Sequence, residues 1–234
     1  FDKICSKNTA AQLQKKYKIK CQSLIGDITK EKSVKSLLKK ILKIHKSVDI
    51  LINNAAINPT QNTIKKKSSN LRLENFSLKS WNDEIAVGLT GAFICSKIFG
   101  HHMSINRGGV IINISSDLGL ISPNQELYKI KGLKESLQPV KPVTYSVVKH
   151  GIIGLTKYLA TYWPKKNVRS NSLCAGGVKI DQSDDFVEKV SALIPMNRMA
   201  DPDEYKSAIQ FLCSDASKYM NGSNLVIDGG RSSW

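Results

Sequence analysis

Short solid apolar runs alternate along this chain with stretches of helical periodicity. Residues 21–26 are apolar up to Asp27, and residues 48–52 are apolar up to Asn53 and Asn54; both runs are expected to be buried strands of a parallel sheet. Between them Val34, Leu37, Leu38, Ile41 and Leu42 recur at i, i+3, i+4, i+7 and i+8, leaving Lys35, Lys39, Lys40 and Lys43 for water, which predicts a helix. The alternation continues with a helix over 80–103, a strand over 110–115, a helix over 144–163, a strand over 168–173, a helix over 202–212 and a strand over Asn224–Ile227. Alternating strands and helices at this spacing predict an open, doubly wound α/β sheet whose ligand crevice lies beyond the carboxyl ends of the strands. Asp27, Asn54, Ser116 and the pair Gly176 and Gly177 each follow an apolar run, so separate strands should deliver them to one rim.

The 234 residues, 41% hydrophobic and 23% charged, have the composition of one globular domain, with enough chain to bury a core without metal or disulfides. No apolar run approaches the ~20 residues of a membrane span, and no secretory signal is visible. The five cysteines are scattered and never in a C-x-x-C pair, as in a reducing compartment, so a cytoplasmic protein is expected. A net charge of +16 invites a polyanionic partner, yet the lysines are spread along helices and are not interleaved with aromatics. A solvated surface is the simpler source of that charge, and neither nucleic acid nor membrane is expected as a partner. Residues 1–50 hold 13 lysines against 4 acids, and the run Lys65–Lys67 reads as a loop. His101 and His102 point about 100° apart on a helix with no acid or cysteine cluster beside them, so no metal site is expected.

Tyr145 and Lys149 lie one helical turn apart and share a helix face. A phenol of pKa ~10 is a poor base at neutral pH, and a fixed cation nearby brings its phenolate closer to working range. Taken alone, such a spacing also suits an amphipathic face with two snorkelling side chains.

Around that pair the chain resembles the short-chain dehydrogenase/reductase family over essentially its whole length, with motifs in family order. Gly26-Asp27-Ile28-Thr29 is similar to the adenine-contacting turn, and Asn53-Asn54-Ala55-Ala56 to the Asn-Asn-Ala-Gly stretch. Ile112-Asn113-Ile114-Ser115-Ser116 is similar to the strand bearing the catalytic serine, Asn171 to Val178 to the turn beside the nicotinamide, and Met220 to Gly230 to the last strand. The resemblance implies a Rossmann-like, three-layer α/β/α fold and NAD or NADP as cofactor. It implies Tyr145 as acid/base, Ser116 on the substrate oxygen, and Lys149 on the nicotinamide ribose, where it also lowers the tyrosine pKa. It further places Asp27 and Ile28 near adenine, Asn54 with Ala55 and Ala56 near the adenine ribose, and Val178, through its backbone, at the carboxamide. Other readings stay open: Asp27 capping the next helix, Asn54 tying strands together, and Ser115 in place of Ser116. A homo-oligomer built through the helices flanking the serine strand is implied as well.

The departures are specific. The Gly-rich phosphate turn, Thr-Gly-x-x-x-Gly-x-Gly, is not found in residues 1–234, so a domain over 1–234 lacking its first strand and helix is expected, with weak dinucleotide binding as its consequence. Asp2, at the end of a second strand, would favour NAD over NADP. Gly88 stands where the family's proton-relay asparagine falls, Ala56 replaces a Gly, Ala175 a Pro, and Ile180 a Thr. The 28 residues between Ser116 and Tyr145 are a long insertion at the crevice mouth, and their lysines, with Arg198, would suit a phosphorylated or carboxylated substrate or simply water. That insertion, with Ile194 to Met199 and the terminal Asp228 to Trp234, is similar to dehydrogenases found with bacterial nonulosonic-acid and flagellin-glycan genes, which implies a sugar-derived alcohol or ketone. Gly88 and the phosphate turn leave a rival: a non-catalytic binding or assembly subunit of the same fold.

Overall fold

The computed structural model describes residues 3–57 and 68–234. Asp2 and Lys65–Lys67 lie outside them. Helix α1 (Lys3–Tyr17) has no counterpart in the sequence expectations: its residues are largely polar, and among its described side chains only Ala10 is buried. The apolar run 21–26 forms no strand: among the described residues no strand pairs with its backbone, the Cys21 carbonyl accepts instead from the Gln14 side chain of α1, and Ile25 is exposed. Helix α2 (Glu31–His45) presents the expected face, with Val34 fully buried.

Four strands form a parallel sheet in the order β1 (Ile50–Asn53), β2 (Gly109–Ser116), β3 (Val168–Ala175) and β4 (Asn224–Ile227). The expected helix over 80–103 is interrupted. It runs as α3 (Leu78–Ile85), a π-helical turn over Ala86–Thr90, and α4 (Gly91–Ser104). Ser77 caps its start by accepting from the Ser80 amide at 3.1 Å. The turn brings Gly88 so close to helix α5 (Val143–Tyr162) that a Cβ there would lie 2.7 Å from Val148 Cγ1.

Alternation along β2 sorts the layers. After α6 (Asp184–Ser191) comes helix α7 (Lys206–Cys213), which Val110 and Ile112 face, packing with Leu173, Ala208 and Leu212. Ile111 faces the other way, onto Met103 of α4 and Leu159 of α5, and α2 closes over α4 through Val34, Ile94, Ile98 and Phe99. Helices on both faces give the three-layer arrangement that the alternation predicted. On the α4/α5 side the sheet also carries a polar ladder. Asn53 Nδ2 donates to Asn113 Oδ1 at 2.8 Å and to Ser96 Oγ at 3.0 Å, and Asn113 Nδ2 donates to Thr156 Oγ1 at 2.9 Å, with Asn113 and Thr156 fully buried. The α7 side of β1 is open: Ile50 and Ile52 are exposed there.

Candidate active site

Strand β2 ends in two serines whose side chains take opposite sides. Ser115 Oγ donates to the Lys149 carbonyl at 2.8 Å and is thereby spent on the α5 backbone. Ser116, one residue on, turns its hydroxyl toward Asp117 Oδ1 at 2.6 Å and into contact with the Tyr145 phenol. Pro142 stands immediately before α5, where its fixed φ suits a helix start, and the first turns of that helix carry Tyr145 and Lys149 to the same rim. Lys149 is buried, its Nζ 5.7 Å from the centre of the Tyr145 ring and donating to the Ile114 carbonyl at 2.9 Å. The structure thus brings Ser116, Tyr145 and Lys149 together.

The electrostatics differ from the simplest expectation. Burial pushes the Tyr145 phenol above its ordinary value, with the Ser116 hydrogen bond and Arg231 opposing the rise and Asp117 adding to it, and burial pushes the Lys149 ammonium down. Desolvation therefore outweighs the depression of the phenol that the Tyr–Lys spacing suggested. A second lysine, which the sequence did not single out, completes the cluster. Lys141 Nζ lies 3.7 Å above the Tyr145 ring centre, and burial lowers its pKa to about 8 against the pull of Asp117 and Glu84.

Behind the tyrosine lies a cavity of about 10 Å³, the room of a single water, lined by Ala56, Glu84, Gly88, Thr144, Tyr145 and Lys149, among others. Gly88 offers only backbone there. Glu84, one turn earlier, supplies a carboxylate, and the fully buried Thr144 hydroxyl donates to it.

The other expected binding residues are spread along the rim, most of them in the open. Asp27 is exposed and organises the turn before α2: its Oδ1 accepts from the Thr29 amide at 2.9 Å and the Thr29 hydroxyl at 2.7 Å, and those bonds hold its pKa below the ordinary value. Ile28 points inward, packed against the α2/α4 core. The strand-tying asparagine is Asn53; Asn54, Ala55 and Ala56 are exposed just past β1. Val178 bridges to Ala200, and its carbonyl accepts from Gln182 Nε2 at 2.9 Å. Its neighbour Gly177 and its bridge partner Ala200 border a cavity of about 150 Å³ that Gly176, Met196, Tyr205 and Asp228, among others, also line. Arg198 is committed to Glu204, whose two carboxylate oxygens it meets at 2.7 Å each, and Lys129 of the insertion pairs with Glu126 and Glu135. The insertion itself is pinned by Gln138, which bonds the backbone of Ile130 and Leu133, and by Leu127 buried against Val190, Ile194 and Met199. Among the described residues, no group of three His, Cys, Asp or Glu side chains converges as a metal site would require.

Comparison with known proteins follows this geometry. The family model described as enoyl-(acyl carrier protein) reductase matches residues 3–232. The chain is 28% identical to the 3-oxoacyl-[acyl-carrier-protein] reductase FabG of Aquifex aeolicus (strain VF5), over 96% of this chain and 82% of that one. It is 30% identical to the NADP-dependent mannitol dehydrogenase of Aureobasidium melanogenum, over 94% of this chain and 75% of that one. A solved short chain dehydrogenase from Leptospira borgpetersenii serovar Hardjo-bovis (strain JB197), with bound NAD+, superposes with a TM-score of 0.77 at 30% identity, covering 89% of this chain and 74% of that one.

Proposed function

The chain belongs to the short-chain dehydrogenase/reductase family, and from that premise we propose that it interconverts a secondary alcohol and a carbonyl using NAD(H) or NADP(H), with Tyr145 as the acid/base. The single observation that carries this reading is the convergence of the Ser116 hydroxyl, the Tyr145 phenol and the Lys149 ammonium at the end of β2.

The rim residues suit a dinucleotide. Lys149 and Asn54 offer donors that ribose hydroxyls accept, Ala55 and Ala56 leave the backbone past β1 open, and Asp27 with the Ile28 backbone lies at the end expected for adenine. The backbone at Val178 lies at the nicotinamide end, beside the turn of Gly176 and Gly177. The Gly-rich phosphate turn is not among residues 1–234, so the contacts assigned to this chain are those of the two ends of the dinucleotide. When bound, the dinucleotide supplies or accepts the hydride. The chain's own part is to orient the substrate oxygen against Ser116 and Tyr145, to exchange the proton at the Tyr145 oxygen, and to exclude water with the pinned insertion. NAD is favoured over NADP on the acidic residue Asp2.

A sugar-derived alcohol or ketone is the proposed substrate class. The mannitol dehydrogenase relative supports it, as do an NAD-dependent glycerol dehydrogenase and a D-threitol dehydrogenase, each 28% identical to this chain. A homo-oligomer is proposed through α4 and α5, on which Phe93, Tyr158 and Tyr162 are exposed. The reading is tested by following reduced nicotinamide absorbance with a panel of sugar alcohols and ketoses beside 3-oxoacyl thioesters. Turnover of a polyol or ketose is the expected result. Turnover confined to the thioesters would overturn the substrate class, and none with any carbonyl or alcohol would favour the non-catalytic reading.

A further inference from the structure

Two full charges lie buried behind the candidate serine. Asp117 is 2% exposed and Arg231 is 8% exposed, and Arg231 Nη1 donates to Asp117 Oδ2 at 2.9 Å across 114 residues of sequence. Burying an ion pair costs several kcal/mol per charge, and well-packed apolar side chains often replace such a pair without loss of stability. What this pair touches suggests a further use.

The remaining Asp117 oxygen, Oδ1, meets Ser116 Oγ at 2.6 Å and the Leu118 amide at 2.8 Å. A carboxylate only accepts, so the hydrogen in the 2.6 Å contact is the serine's, and the length is that of a charge-assisted bond. The Leu118 amide also donates to Ser116 Oγ at 3.2 Å. A hydroxyl has one hydrogen and two lone pairs. With the hydrogen committed to Asp117 and one lone pair to Leu118, Ser116 has a single lone pair left for the side where Tyr145 stands.

We propose that Asp117, clamped by Arg231, is a positioning residue that holds the Ser116 hydrogen on its own side, so that Ser116 donates to the Tyr145 phenolate or to a substrate oxygen only by giving up that bond. The inference rests on the reading of Ser116 and Tyr145 as the reacting pair. It predicts that the two charges act on the tyrosine in opposite directions. Neutralising Asp117 removes a nearby negative charge and leaves only an uncharged amide oxygen to compete with a phenolate for the serine hydrogen. Neutralising Arg231 removes a nearby positive charge and leaves the serine bound to Asp117. The other groups around Tyr145 are Lys141 and Lys149, Glu84 through Thr144, and Tyr128. They are the same in every variant.

The test is an ultraviolet difference titration of phenolate formation, each protein measured against its own Tyr145→Phe version so that only Tyr145 is read. Asp117→Asn should move the midpoint down by about one pH unit and Arg231→Gln should move it up. The double variant Asp117→Asn/Arg231→Gln, which buries no charge and keeps only the weaker hold on the serine hydrogen, should lie between Asp117→Asn and wild type. If Arg231→Gln does not fold, the double variant decides alone. Single variants that shift the midpoint in the same direction, or a double variant indistinguishable from wild type, would show a pair that merely staples the C-terminal turn and would overturn the proposal. Midpoints that shift as expected while the alkaline limb of the rate stays in place would uphold the positioning and remove Tyr145 from the reaction.

Discussion

The two ends of the crevice are built differently. At the β2 end, Ser115, Ser116, Asp117 and Lys149 are buried, each hydrogen-bonded to another part of the chain, and the C-terminal Arg231 reaches back to lock the group. At the β1 end, Asp27, Asn54, Ala55 and Ala56 are exposed, and Asp27 bonds to its own turn and to Ser33 in the first turn of α2. The chemistry of proton exchange needs donors and acceptors held in advance, because their reorganisation would add to the barrier. Binding a long polar ligand needs exposed groups that exchange water for ligand. Substitutions at the first end should therefore disturb stability and titration together, and substitutions at the second should disturb affinity alone.

The largest expected effect lies under the β2 end. Asn113→Ala removes the acceptor of Asn53 and the donor to Thr156 in a fully buried ladder, and should lower unfolding free energy by about 3 kcal/mol in urea melts. A loss under about 1 kcal/mol would mean that the ladder is not what fixes the sheet beneath the site.

Next comes a pH dependence. Lys141 has a folded pKa of about 8, depressed from 10.5 chiefly by burial. Between those values the unfolded chain binds more protons than the folded one, so stability should rise with pH from about 8 to 10.5, by up to about 3 kcal/mol relative to Lys141→Met. Parallel stability curves for the two proteins across that window would show that the ammonium is not desolvated over the ring.

The smallest effect belongs to the open end. Asn54→Ala should leave the melting temperature unchanged and weaken dinucleotide binding about two- to tenfold, the worth of a single hydrogen bond, as read by fluorescence titration. A lower melting temperature with unchanged affinity would reverse the contrast between the two ends.

The same contrast explains what could be read from the sequence. Strand β4 has its predicted bounds, and β2 and β3 run one or two residues past theirs; in β2 the solid apolar run between turn residues reports burial on both faces. The run 21–26 has that composition too, but a strand exists only with a partner, and composition does not supply one. The π-helical turn near Gly88 was hidden because a helical period survives a one-residue widening, although two glycines three apart marked where helices approach closely. The Tyr145–Lys149 spacing and the serine at a strand end were legible because helix and strand geometry are local. Lys141 and Arg231 were not. Lys141 comes from an irregular loop, and Arg231 meets Asp117 across 114 residues. The one available signal was Asp117 itself, an acid placed directly after two serines where an apolar strand ends.

The central claim is that the Tyr145 oxygen exchanges the proton while other groups of the chain hold the ligands. Its most direct test is the turnover of Tyr145→Phe, measured on the substrate found in the panel, with dinucleotide affinity measured on the same preparation. A general acid/base contributes about 100- to 10,000-fold. The expected result is a loss of turnover in that range with affinity within about twofold of wild type, a shift of under about 0.5 kcal/mol. Turnover above about a tenth of wild type would contradict the assignment.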